Sequence, residues 1–217
     1  MNIIEFKKIK EKALQEHIPI IMDDTLEVIS KILKEKEVET FLEIGTAVGY
    51  SAICFSEYLS DNGIIDTIER DADRVKEAKI NIKKVGVENI INILEGDAVE
   101  ILPTLNKKYD VVFIDAAKGK YPFFLEQSLR MLKDDGIIFA DNILYKGYVM
   151  SDYNKHKQRT AVRHLREYLA EIMADERLDT QVSSALQRGT STCHHQVLYA
   201  RSDRPHCSRP TGFSWAA

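Results

Sequence analysis

Two short stretches carry the residues best suited to chemistry. The segment FIDAAKGKY sets Asp115 directly after a hydrophobic run, and IIFADN sets Asp141 and Asn142 after another. Each run reads as a β-strand, and neighbouring strands would bring the two carboxylates and the amide together beyond their carboxyl ends. Hard oxygen ligands of this kind suit magnesium and leave positions for water or for a substrate with two oxygens. A divalent ion there lowers the pKa of a bound hydroxyl and fixes its direction, as attack on an electrophilic methyl group requires. Lys118, three residues after Asp115, is the candidate to take the proton or stabilise the anion, with Asp115 as its catalytic neighbour. The plainer alternatives are a helix cap or turn for Asp141-Asn142 and a solvated side chain for Lys118.

A second constellation lies upstream. EIGTAVG, residues 43–49, follows a strand and opens a helix. Gly45 and Gly49 permit close backbone approach, and the helix start supplies free N–H groups. The spacing differs from the GxGxxG of dinucleotide binders, which argues against a dehydrogenase. With an acid at Glu43 and no second early glycine, S-adenosylmethionine fits better, since it has no pyrophosphate to cradle. Glu43 is expected to reach that cofactor's ammonium end through water. Glu69, 20 residues past Gly49, ends the second strand, where a carboxylate can accept both ribose hydroxyls. Asp97 ends the third strand, where the adenine edge would lie. The alternative is a set of turn glycines and solvated carboxylates.

The elements that must position these residues are legible in the rhythm of the chain. Its 217 residues, 44% hydrophobic and 29% charged, fit one soluble domain. No apolar run nears the roughly 20 residues of a membrane span, and the first residues lack a secretory signal, so a cytoplasmic location is expected. Three cysteines, Cys54, Cys193 and Cys207, are too scattered for a disulfide framework or zinc cluster. A net charge of −4 excludes a general polyanion binder but not a local basic patch. Ile3, Ile4, Phe6, Ile9, Ala13 and Leu14 mark a leading amphipathic helix, and Asp23 and Asp24 are candidate caps for a second. From residue 39, strands alternate with helices near 49–60, 72–85, 98–105 and 121–132. That order implies an α/β fold with a doubly wound, mostly parallel sheet behind N-terminal helices. A last helix is expected at 158–174, with Val162, Leu165, Leu169, Ile172 and Met173 inward. Residues 1–182 form the domain, and 183–217, with one acidic residue and no lysine, read as an atypical and partly ordered tail whose best strand is 195–200.

Taken in order, LEIGTAVGYSAI, TIERD, FIDAAKGKY and ADNILYKGYV resemble the cation-dependent O-methyltransferases, which include the catechol and caffeoyl-CoA methyltransferases. The resemblance covers about residues 15–182. Within that group EHIPI, IDAAKGKY and DNILYKGYV are most similar to bacterial tRNA 5-hydroxyuridine methyltransferases, which make 5-methoxyuridine at the wobble position. The resemblance implies a Rossmann-like S-adenosylmethionine-dependent fold, a magnesium ion and a homodimer. It also implies that Met22 and Ser51 line the cofactor, with Glu69 on the ribose and Asp97 and Ala98 beside adenine. Asp115, Asp141 and Asn142 match the metal ligands, Asp115 also nears the methionine end, and Lys118 matches the catalytic lysine. The family ends in an acid-to-glycine turn between two apolar strands that complete the sheet edge. Residues 183–217 do not show that turn, so the tail is expected to be an altered terminus that only partly replaces those strands.

The acceptor has two chemically similar forms. The hydroxyl of 5-hydroxyuridine lies beside a carbonyl and chelates magnesium much as a catechol does. Lys155, His156, Lys157, Arg159, Arg163 and Arg166 form a basic cluster that favours tRNA, and Tyr145, Tyr148 and Tyr153 could stack on a splayed base. An ordinary solvated helix face and packing tyrosines are the alternatives. A small ortho-dihydroxy substrate, or a non-catalytic S-adenosylmethionine-binding protein, would leave the same motifs.

Overall fold

A computed structural model of the chain describes residues 1–116, 118–141, 163, 170, 173–175, 178–185 and 195–202, with the backbone alone at 118, 181–185 and 195–202. Seven strands form one sheet: β1 (Thr40–Ile44), β2 (Ile64–Glu69), β3 (Ile91–Glu95), β4 (Tyr109–Ile114), β5 (Leu132–Asp141), β6 (Leu178–Ala185) and β7 (His195–Ser202), in the order β3-β2-β1-β4-β5-β7-β6. The first five neighbours pair in parallel, and β7 runs antiparallel to both β5 and β6. The chain starts in the middle at β1, winds outward to β3 and returns to β4 beside β1. That reversal makes β1/β4 the switch point, where parallel sheets open a crevice for ligands.

Both faces of the sheet are apolar because both are covered by helices. Phe41, Val111, Phe113, Ile137 and Phe139 pack under α1 (Ile3–Gln15), α2 (Asp23–Leu33), α3 (Tyr50–Ser56) and α4 (Ala72–Val85). Alternate residues Leu42, Ile44, Val112, Ile114 and Ile138 face α6 (Tyr121–Met131) and Leu102, which follows the short α5 (Ala98–Ile101). Helix α4 has the bounds its sequence signals: Asp71 caps the N–H groups of Asp73 and Arg74, and Gly86 closes the helix at φ 81°. Among the described residues, no helix is long and apolar enough to cross a membrane.

Several expectations need correction. The buried stripe of α1 is narrow: Phe6 stacks on Tyr50 at 5.2 Å and Ile9 and Ala13 are buried, but Ile3, Ile4 and Leu14 are 60%, 69% and 57% exposed. The helix meets the body over α4 and the start of α3, so the flanking apolar residues stay in solvent. Asp23 and Asp24 lie inside α2, whose N-cap is Met22 without a side-chain bond; Asp24 accepts instead from the neighbouring Thr25 N–H. They act as first-turn acids beside the positive helix end. Helix α3 stops at Ser56 because Ser60 N–H turns away to Val38 O at 2.9 Å. Met173, expected inward, is 53% exposed. Arg163, Ala170, Met173 and Ala174 are helical, and the rest of 158–174 lies outside the described residues. Residues 195–202 do form a strand, β7, while the boundary drawn at 182/183 falls within β6. The hairpin of β6 and β7 thus occupies the sheet edge beside β5.

Candidate active site

The carboxyl edge of the parallel strands brings the expected residues into one row. Reading across β3, β2, β1, β4 and β5, the strand ends present Asp97, Glu69, Gly45, Asp115 and Asp141. Ladder pairing sets Ile44 beside Ile114 and Ile114 beside Ala140, so Gly45, Asp115 and Asp141 follow at one level. Asp115 N–H donates to Ile44 O at 3.0 Å, which continues the β1–β4 pairing one residue past the end of β4. By strand alternation Asp115 and Asp141 share the face of Phe113 and Phe139. Asp115 is half-buried and Asp141 is buried, at 1% exposure.

Glycine is required at the switch point itself. Gly45 sits at φ 108°, and a Cβ there would stand 2.2 Å from the carbonyl oxygen of Asp115. Only a bare backbone lets β1 turn under the end of β4. Gly49, at φ 82°, is the N-cap of α3, and its N–H closes the turn on Thr46 O at 2.8 Å. Between them Ala47 also adopts a left-handed conformation, φ 46°, an uncommon choice for a residue with a side chain. Glu69 holds it there: Ala47 N–H donates to Oε2 at 2.9 Å, while Arg70 and Asp71 N–H groups donate to Oε1. A carboxylate offers about four acceptor positions, so Glu69 keeps capacity toward a ligand while it shapes the turn.

Beneath the turn lies a buried polar chain that the sequence reading only half foresaw. Glu43 is fully buried and accepts from Ser51 Oγ and from Thr67 Oγ1, both at 2.5 Å. Thr67 shares a 2.6 Å bond with Thr46 Oγ1, inside the glycine turn. Loss of solvent pushes the Glu43 carboxyl up to about 7 despite the hydroxyl donors, and the charges of Asp115 and Glu69 push the same way. Glu43 and Ser51 are thus bonded to each other beneath the glycine turn. Thr67 was missed; its signal was a hydroxyl on the same strand face as the buried Ile65.

The remaining expected residues fall as follows. Met22 caps α2 and is 38% exposed. Asp97 caps α5 by accepting from Val99 N–H at 2.8 Å, with Arg70 Nη1 at 3.9 Å, and Ala98 starts that helix. Lys118 lies in a 3₁₀ turn, Lys118–Lys120, but its side chain lies outside the described residues. Asn142, Tyr145, Tyr148, Tyr153, Lys155, His156, Lys157, Arg159 and Arg166 also lie outside them, and Arg163 is exposed. Tyr121 was missed as well: it is fully buried, and its hydroxyl donates to Asp141 O at 2.7 Å.

The residues present fit the expected groups. A glycine turn at the switch point, with Gly45 packed against the Asp115 carbonyl and the Glu69 carboxylate beside it, suits a nucleoside with a charged amino-acid end. Two carboxylates at adjacent strand ends suit a hard divalent cation. Among the described residues no three His, Cys, Asp or Glu side chains converge, and the expected third donor, Asn142, lies outside them.

A glycine turn at the switch point, acids at the carboxyl ends of β2 and β3, and a reversed strand beside the edge strand define the Rossmann-like methyltransferase class. Within it the chain belongs to the O-methyltransferase family, S-adenosylmethionine-dependent enzymes whose family model matches residues 3–195. It is 30% identical over 161 residues to a catechol O-methyltransferase of Niastella koreensis, covering 72% of this chain and 70% of that one. The tapetum-specific methyltransferase 1 of Arabidopsis thaliana is 31% identical over 171 residues, 75% of this chain and 71% of its own. Among solved structures, a Staphylococcus aureus protein provisionally named a caffeoyl-CoA O-methyltransferase superposes with TM-score 0.80 at 29% identity, covering 91% and 92% of the two chains. A Bacillus cereus O-methyltransferase solved with S-adenosylhomocysteine shares the fold at TM-score 0.77 and 22% identity, covering 92% and 90%.

Proposed function

We propose that this enzyme moves the methyl group of S-adenosylmethionine to a hydroxyl oxygen that has a second oxygen beside it, with magnesium held by Asp115, Asp141 and Asn142. One observation carries the reading: the ladder register sets Asp115 and Asp141 at the same level on adjacent strand ends, next to the glycine turn at Gly45. When bound, the ion supplies charge that lowers the hydroxyl's pKa and orients both substrate oxygens. Glu69 would hold the ribose, Asp97 the adenine edge and Asp115 the methionine end of the cofactor. Lys118 in its neutral form accepts the hydroxyl proton. The oxygen then bonds to the methyl carbon while the carbon–sulfur bond breaks, its electron pair staying on sulfur to give the thioether.

The acceptor we propose is 5-hydroxyuridine at the tRNA wobble position, in a cytoplasmic homodimer. The EHIPI, IDAAKGKY and DNILYKGYV wording and the basic run from Lys155 to Arg166 support it. A second reading, a catechol or caffeoyl-CoA-type small molecule, is favoured by the names of the relatives. Labelled S-adenosylmethionine offered with hypomodified tRNA or with a catechol separates them. Label in tRNA that falls steeply with salt supports the first; label only in the catechol overturns it.

A further inference from the structure

We propose that Tyr121 is a positioning residue that sets the separation of the two carboxylates at the ends of β4 and β5. The inference rests on the metal reading above. Tyr121 is the first residue of α6 and is fully buried on the sheet face opposite Asp115 and Asp141. Its hydroxyl donates to Asp141 O at 2.7 Å and makes a longer contact, 3.3 Å, with Ile114 O. One of these carbonyls belongs to a carboxylate-bearing residue, and the other immediately precedes one. A single phenol thus ties together two strand ends just where the ladder runs out.

Terminal carbonyls at a buried strand end need a partner. Here the partner is shared, so the bond acts on the distance between the strands and not only on either carbonyl. Pro122, in the first turn of α6, pre-sets the helix start and so the entry of the ring. A phenylalanine would fill the same volume among Phe124, Leu125, Ile138 and Ala140. What the hydroxyl adds is the tie.

The test uses the full chain and manganese as the probe, followed by electron paramagnetic resonance, with S-adenosylhomocysteine affinity measured alongside. Tyr121→Phe is expected to weaken manganese binding about tenfold, the low end for groups that orient metal ligands from behind, and to leave S-adenosylhomocysteine binding unchanged. Tyr109→Phe is the control. That hydroxyl, buried on the same face, donates to Asp66 at 3.0 Å and should not affect manganese. Wild-type manganese affinity in Tyr121→Phe overturns the assignment, as does equal weakening by Tyr109→Phe or a parallel loss of S-adenosylhomocysteine binding. Unfolding of Tyr121→Phe in the presence of chelator overturns it too, because the hydroxyl would then be holding the fold. If wild type binds no manganese, the metal reading fails and takes this inference with it. If Asp141→Asn abolishes binding while Tyr121→Phe does nothing, only the inference fails.

Discussion

Replacing Glu43 by glutamine should change how stability depends on pH more than it changes the fold. The wild-type carboxyl is raised from 4.5 to about 7 because burial outweighs the two hydroxyl donors. Between those pH values the folded chain holds a proton that the unfolded chain has released. Stability from this group is complete below pH 4.5, falls as pH rises, and is gone above about 7. At about 1.4 kcal/mol per pH unit, that interval corresponds to about 3 kcal/mol. Glutamine has the same shape, does not titrate, and keeps an oxygen for Ser51 or Thr67, whose hydroxyls can rotate to meet its amide. Urea unfolding at pH 5 and pH 8 measures the effect. The variant should gain roughly 2–3 kcal/mol on wild type between the two, with most of the change complete by pH 7. Two parallel profiles would refute the claim that Glu43 is buried beneath the turn and titrates there.

Two further substitutions probe the edge. Gly45→Ala places a methyl 2.2 Å from Asp115 O at φ 108°; strain and clash should cost about 3 kcal/mol of stability and lower S-adenosylhomocysteine affinity more than tenfold by calorimetry. Glu69→Gln keeps the size but loses the charge that binds the Ala47, Arg70 and Asp71 N–H groups. S-adenosylhomocysteine affinity should fall about tenfold while manganese binding at the far end of the row stays as in wild type.

Much of this architecture was legible because its signals are local. The alternation of short apolar runs with amphipathic ones gave β1 to β5, and the Asp71 and Gly86 caps gave α4 its ends. The site row was legible for the same reason, since each of its residues lies at or within two residues of the end of a strand. What escaped depends on partners distant in sequence. Thr67 and Tyr121 look ordinary until the sheet sets one against Glu43 and the other across two strand ends. The outer face of α1 has the same pattern as a buried one, and only its placement over α4 leaves Ile3 and Ile4 in water. Strand β6, LDTQVSSA, shows no apolar alternation, so its pairing with β7 had no signature in the pattern.

The most direct test is methyl transfer by wild type and Asp141→Asn across a magnesium titration, with S-adenosylhomocysteine binding measured on both. Chelation should abolish wild-type transfer, and magnesium should restore it. Asp141→Asn should lose about 100-fold or more in rate at the same magnesium, with S-adenosylhomocysteine bound as before. Transfer that survives chelation, or an Asp141→Asn enzyme as active as wild type, would contradict the metal reading.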